Sequence, residues 1–198
     1  MPAHMSKEVA VKIDKVLNEF GRSPLHGTVL VDSLNPSPKI VLAMLLDALI
    51  KARPISHELT QKTIEKLIEV EYYDIDILSN NGMLTLSTDG DLNNLLQDAN
   101  CKIDKVGLLL KEVKGIGDLA VEVFFNSVQS VWPSIAPFVD SRSLKTAAEI
   151  GIGTDLDEIY NALDRDPMRM SWFANGLSES LRFGWRKGRK QLREFETT

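Results

Sequence analysis

The sequence predicts an all-α protein, and three observations predict it. Apolar residues recur at i, i+3, i+4 and i+7 along one segment after another. Helix-start and helix-stop residues bracket those segments. No stretch sustains the period-two alternation of paired strands, and the short "MLTL" run at 83–86 has no second strand to pair with. With 43% apolar residues in a chain of 198, there is material for an ordinary core, which sets disorder aside.

The first helix follows from Val9, Ile13, Val16, Leu17 and Phe20, which share one face, with Ser6 placed to cap it and Gly21 to stop it. Residues 22–36 carry glycine and prolines and read as a loop, with one extended piece at "TVLV". Ser37 and Pro38 then open a helix from Lys39 to Arg53, because proline lacks an N–H where the first turn has no use for one. That helix is apolar nearly all round and belongs at the centre of the fold.

Pro54 ends the central helix, Ser56 caps the next, and Leu59, Ile64, Leu67 and Ile68 give it an apolar face. "YYDIDILSNN" reads as a short helical continuation, and the polar "SNNGMLTLSTDGDLNN" reads as a loop. Two short helices follow from Asp91, in "DLNNLLQDA" and "DKVGLLLKEV". Further on, "DPMRMSWFANGLSESL" spaces Met168, Phe173, Leu177 and Leu181 for packing as a last helix. The organisation expected is an N-terminal helix and loop over 1–37, a helical domain over 38–181 and a basic tail over 182–198.

Composition narrows the chemistry. A single cysteine, Cys101, excludes an internal disulfide framework, and with His4, His26 and His57 scattered singly a zinc site is not expected. The N-terminus lacks the basic-then-apolar plan of a secretory signal, so the chain reads as intracellular. The longest apolar segment, "KIVLAMLLDALIKA", is too short for a membrane span and carries Asp47. A net charge of −5 argues against a protein that coats nucleic acid, though the tail concentrates Arg182, Arg186, Lys187, Arg189, Lys190 and Arg193 around Phe183 and Trp185. Such a patch serves either to hold phosphates or as a solvated helix face.

The informative stretch is "VKGIGDLAVEVFF…FVDSRSLKTA", from Val113 to Ala147. Gly115 and Gly117 permit a tight turn between two helices, and Ile116 between them can plug the angle. The first amides of the following helix then point outward, which suits a phosphate but is also what an ordinary helical hairpin leaves behind. Leu119, Ala120, Val123, Phe124 and Ser127 lie along a face for packing. Asp140, in a loop just ahead of a helix with apolar positions at Leu144, Ala147, Ala148 and Ile150, is placed either as an N-cap or as an acid–base group.

Together these residues resemble the helix-hairpin-helix and catalytic-aspartate loop of the endonuclease III-like DNA glycosylases, the HhH-GPD superfamily. Lys114, Gly115, Ile116, Gly117 and Asp118 fall on the hairpin, which spans 104–130, and Val139 and Asp140 on the loop. "LLDALIKARPISHELTQKTIEKL" is similar to the family's first core helices, with Arg53 where the family places the residue that fills the space of an extruded base. The likeness covers 38–78 and 91–163. It implies a protein of base-excision repair that binds double-stranded DNA through Lys114 to Asp118 and Arg53, with Asp140 as the catalytic carboxylate. An extruded base would enter a pocket between the helix starting near residue 38 and the Asp140 loop, with Trp132, Tyr72 or Tyr73 offering a ring for it.

The departures are specific. Leu119 stands where bifunctional members carry the Schiff-base lysine, and neither Lys114 nor Lys145 matches that position, so the implied reaction is monofunctional hydrolysis. The iron–sulfur members' cysteines are absent apart from Cys101, so no cluster and no other cofactor is expected. Between Asn80 and Thr88, where relatives have another helix, the sequence has only a loop. Three readings follow: a monofunctional glycosylase, a non-catalytic DNA-binding module in which Asp140 is only a cap, and a helical module that binds protein.

Overall fold

The computed structural model describes residues 6–74 and 91–187, the last seven of these as backbone. Arg189, Lys190 and the expected loop and helix gap at 80–88 lie outside the described residues. Among the described residues every regular element is helical, as the periodicity predicts.

The order is α1 (Lys7–Phe20), α2 (Pro38–Lys51), α3 (His57–Glu69), α4 (Asn93–Asp98), α5 (Ile103–Lys111), α6 (Asp118–Val128), α7 (Ser141–Glu149), α8 (Leu156–Ala162) and α9 (Pro167–Lys187). Short 3-10 turns at Val31–Ser33 and Pro133–Ile135 punctuate the connections. The local signals act as expected at several ends. Ser6 Oγ accepts from Val9 N–H at 3.2 Å, Ser56 Oγ from Leu59 N–H at 3.3 Å, and α1 closes on the Gly21 amide. Ser37 has the extended backbone of an N-cap but makes no capping side-chain bond, so Pro38 alone marks that start. The "TVLV" segment forms turns rather than an extended piece, because the Thr28 hydroxyl and N–H both bond back to the Leu25 carbonyl.

Two groups of helices each enclose their own apolar cluster. α2 to α6 share one, with α2 packed on α6 and flanked by α3 and α5. α1 joins α7, α8 and α9 in the second, through Ile13 and Val16 against Phe173, Ala174 and Leu177. Residues at opposite ends of the sequence therefore build one core. α2 and α6 are buried almost all round, as their composition predicts. In α3 the buried stripe is Thr60, Ile64 and Ile68, and Leu59 is 52% exposed. Ile64 and Ile68 are buried as expected, and only the first turn differs, with Thr60 inside in place of Leu59; the Thr60 hydroxyl donates to the Ser56 carbonyl, which lets a polar residue go inside. Ala148 on α7 is likewise exposed.

α9 packs on α1, α6 and α7, and Gly176 sets it close against the end of α1. A Cβ on Gly176 would stand 3.1 Å from the Gly21 Cα and N. The helix runs through Lys187, so the first six residues of the segment set apart as a tail are helical. Among the described residues, no helix is long and apolar enough to cross a membrane.

Candidate functional site

The site is built on α6, whose two ends serve different purposes. At its start, α5 ends at Lys111 and a six-residue turn leads to Asp118. Gly115 has φ +99°, a left-handed backbone that favours glycine. Ile116 is buried at the turn's apex and its N–H bonds to the Val113 carbonyl at 3.1 Å, so it plugs the angle between the helices. Gly117 is the N-cap, with φ −105° and ψ 174°, and no side chain caps the helix there. The first amides of α6 are thus left facing outward, where the helix dipole favours negative charge.

Charge around the turn comes from three directions. Asp118 occupies the first turn and is exposed, and Lys111 Nζ lies 2.9 Å from its Oδ1. Lys114 projects from the turn and is exposed. Arg53, on the connection between α2 and α3, brings its Nη2 to 3.9 Å from where a Cβ on Gly115 would stand. The structure therefore gathers Arg53 and residues 114–118, far apart in sequence, on one surface.

Beyond its first turn α6 holds a loop. Glu122 and Asn126, with Gln129 at the α6 C-cap, share one face, and each grips the chain between Phe138 and Ser141. Glu122 Oε2 accepts from the Ser141 hydroxyl at 2.7 Å and its N–H at 3.2 Å. Asn126 Nδ2 donates to Asp140 Oδ2 at 2.7 Å, while its Oδ1 accepts the Asp140 N–H at 2.9 Å. Gln129 accepts the Phe138 N–H at 3.0 Å and donates to the Phe138 carbonyl at 2.9 Å.

Asp140 is the N-cap of α7. Its Oδ1 accepts from the N–H groups of Arg142 and Ser143, both at 3.1 Å. With Oδ2 on Asn126 and only 2% of its surface exposed, both carboxylate oxygens are engaged inside the protein. Nearby, Ser143 Oγ is buried and has no hydrogen-bond partner among the described residues.

The aromatic candidates are differently placed. Trp132 is buried, its ring edge-on to Phe124 at 5.6 Å between centroids and its Nε1 bonded to Asn93 Oδ1 at 2.7 Å. It is a core residue with no open face, as bulky rings at helical spacing usually are. Tyr72 and Tyr73 are half-buried against the first cluster. Arg186 and Lys187 sit on the helical backbone of α9.

A cavity of about 330 Å³ opens between the ends of α2 and α3, α6, α9 and the segment after α1. Arg22, Lys51, His57, Val123 and Glu179 are among its walls, and Asp140 is not. The cavity borders the C-terminal end of the helix starting at residue 38, but no residue of the Asp140 loop is in its lining, so it is not the pocket expected between that helix and that loop. Among the described residues no group of three potential metal ligands comes together.

The face formed by Glu122, Asn126 and Gln129 was legible only as polar residues at spacings of four and three in an otherwise apolar helix; nothing local says what they hold. No protein-family model, no curated protein and no solved structure matches the chain.

Proposed function

We propose that the chain is a DNA-glycosylase-like protein of base-excision repair that docks duplex DNA on the glycine turn ahead of α6, with Arg53 and Lys114 beside it. The observation that carries this reading is Gly117. Its backbone is one any residue adopts, and a Cβ there would meet nothing within 4 Å, so the fold itself does not demand a glycine. What a bare Cα at that point favours is close approach of something from outside to the uncapped amides of α6. A backbone phosphate is the partner such amides suit, because the N–H groups and the helix dipole both favour an anion. Asp118 opposes this, and its pairing with Lys111 moderates the opposition.

The join between turn and aspartate supports the chemical half of the proposal. α6 starts at the docking turn and, two turns on, fixes Asp140 through Asn126, so docking the duplex would set the aspartate loop at a defined distance from it. Hydrolysis of an N-glycosidic bond would then use the Asp140 carboxylate to activate water or to stabilise the cationic sugar. For that, Oδ2 must leave Asn126 when DNA binds.

The engaged carboxylate favours a second reading, a non-catalytic module that binds duplex DNA while Asp140 serves as a cap. Both are tested by mobility shift on a duplex with an abasic-site analogue and on undamaged duplex, followed by a base-release assay over damaged duplexes. Lesion-preferring binding with base release that Asp140→Asn abolishes supports the enzyme. Binding indifferent to lesions, with no release, supports the module. Absence of binding to either duplex sinks both and leaves a helical protein-interaction module.

A further inference from the structure

Taking a guanidinium part-way out of water costs free energy that a carboxylate neighbour usually offsets. Arg22 is half-buried and lines a cavity with Glu65 and Glu179, but among the described residues it enters no ion pair, and the one acceptor found there for its guanidinium is the Gly21 carbonyl, 2.8 Å from Nη1. It lines the cavity between α2, α3, α6 and α9, together with Ser23, Lys51, Asn175 and Ser178, each of which can donate hydrogen bonds.

The two acids in the lining have hydrogen-bond partners within the chain, Glu179 Oε1 lying 3.3 Å from His57 Nε2 and Glu65 Oε1 accepting from Gln61 Nε2 at 2.9 Å, while Lys51 of the lining lies 2.6 Å from Asp47 Oδ2. Among the described residues Val123 is the one aliphatic side chain in the lining, and no phenylalanine, tyrosine or tryptophan joins it. The walls set several hydrogen-bond donors beside apolar surface that is at least as extensive, which suits a ligand with an acceptor-rich end and a carbon-bearing part.

We infer that this cavity binds a phosphate group, gripped by Arg22 and steadied by Lys51 and the hydroxyls of Ser23 and Ser178. A planar guanidinium with further donors on the same walls matches three oxygens better than the two of a carboxylate. The volume, about 330 Å³, exceeds a bare ion and admits the small group that carries the phosphate. That phosphate belongs either to a free phosphorylated metabolite-sized molecule or to a nucleic-acid strand. None of these residues lies on the glycine turn, so the inference stands or falls apart from the docking proposal.

Isothermal titration calorimetry with ribose 5-phosphate, with ribose, and with a short duplex tests it on the full chain. Wild type is expected to bind ribose 5-phosphate and not ribose. Arg22→Gln should weaken that binding about tenfold or more, the effect of losing a charge-assisted hydrogen bond, with Arg22→Lys in between. Ser178→Ala should weaken it by a smaller factor and covers the case in which Arg22→Gln melts early by circular dichroism. Gly117→Asp should leave ribose 5-phosphate binding unchanged. If ribose 5-phosphate fails but the duplex binds and Arg22→Gln weakens it about tenfold, the phosphate is a nucleic-acid one. The inference is overturned if no phosphate-bearing probe binds, or if Arg22→Gln and Ser178→Ala bind all of them as wild type does.

Discussion

Asn126 and Asp140 hold each other by a reciprocal pair of hydrogen bonds, Nδ2 to Oδ2 at 2.7 Å and the Asp140 N–H to Oδ1 at 2.9 Å. Both residues are buried, so neither bond is easily replaced by water. The pair ties α6 to the start of α7 across fourteen residues. It fixes the cap of α7 and the position of the carboxylate together.

Substitution at either residue therefore disturbs more than one bond. Asn126→Ala leaves the Asp140 N–H and one buried carboxylate oxygen unsatisfied and should cost about 2–4 kcal/mol in urea denaturation. Asp140→Asn keeps an oxygen for the Arg142 and Ser143 amides but sets its amide against the Asn126 Nδ2, donor against donor. The combined Asn126→Asp, Asp140→Asn protein restores a donor facing an acceptor at both bonds. It should be more stable than the sum of the single changes predicts, by about 1 kcal/mol or more. Additivity within experimental error would show that the pair is not coupled.

The two glycines of the turn should behave differently. Gly115→Ala forces a side chain into a left-handed backbone and should destabilise by about 1–2 kcal/mol. Gly117→Ala should change stability by no more than about 1 kcal/mol, since its conformation is open to any residue and only N-cap preference is lost. Thermal denaturation of both variants checks the contrast, and equal losses would contradict the geometry assigned to the turn.

How much of this was legible in advance follows from the range of the interactions. The caps at Ser6 and Ser56, the stop at Gly21 and the left-handed turn at Gly115 are fixed by neighbours within a few residues, and the sequence pattern locates them. The central burial of α2 and α6 follows from composition alone. The grip of Glu122, Asn126 and Gln129 on residues 138–141, and the placing of Arg53 beside Gly115, depend on how distant segments meet, which no local period encodes. Burial of Thr60 in place of Leu59 turned on one hydroxyl finding a carbonyl a turn away.

Close packing of α1 on α9 should make Gly176 sensitive. A Cβ would press on the Gly21 backbone at 3.1 Å and on Phe20 C at 3.2 Å, so Gly176→Ala must push the helices apart. A loss of about 1–3 kcal/mol is expected from overpacking, read as a lower melting temperature. An unchanged melting temperature would mean that the two helices do not approach this closely.

Tyr160 supplies a pH test. Burial raises its phenol above the ordinary value of 10.0, with Asp166 adding to the shift and Arg165, stacked 5.0 Å from the ring centroid, opposing it. The folded state thus holds this proton more tightly than the unfolded chain. Its contribution to stability is complete below pH 10.0 and is lost as pH rises through the higher folded value. Tyr160→Phe should flatten the alkaline fall of stability relative to wild type, and identical alkaline profiles would contradict the assignment.

The most direct test of the central claim is the affinity of wild type and Gly117→Asp for one labelled undamaged duplex, by fluorescence anisotropy at two salt concentrations. The docking turn predicts that wild type binds and weakens as salt rises, because phosphate contacts release counterions. It predicts a further loss of about tenfold or more in Gly117→Asp, where a carboxylate would stand at the uncapped amides. Equal affinity for the two proteins would contradict a duplex docked on the start of α6.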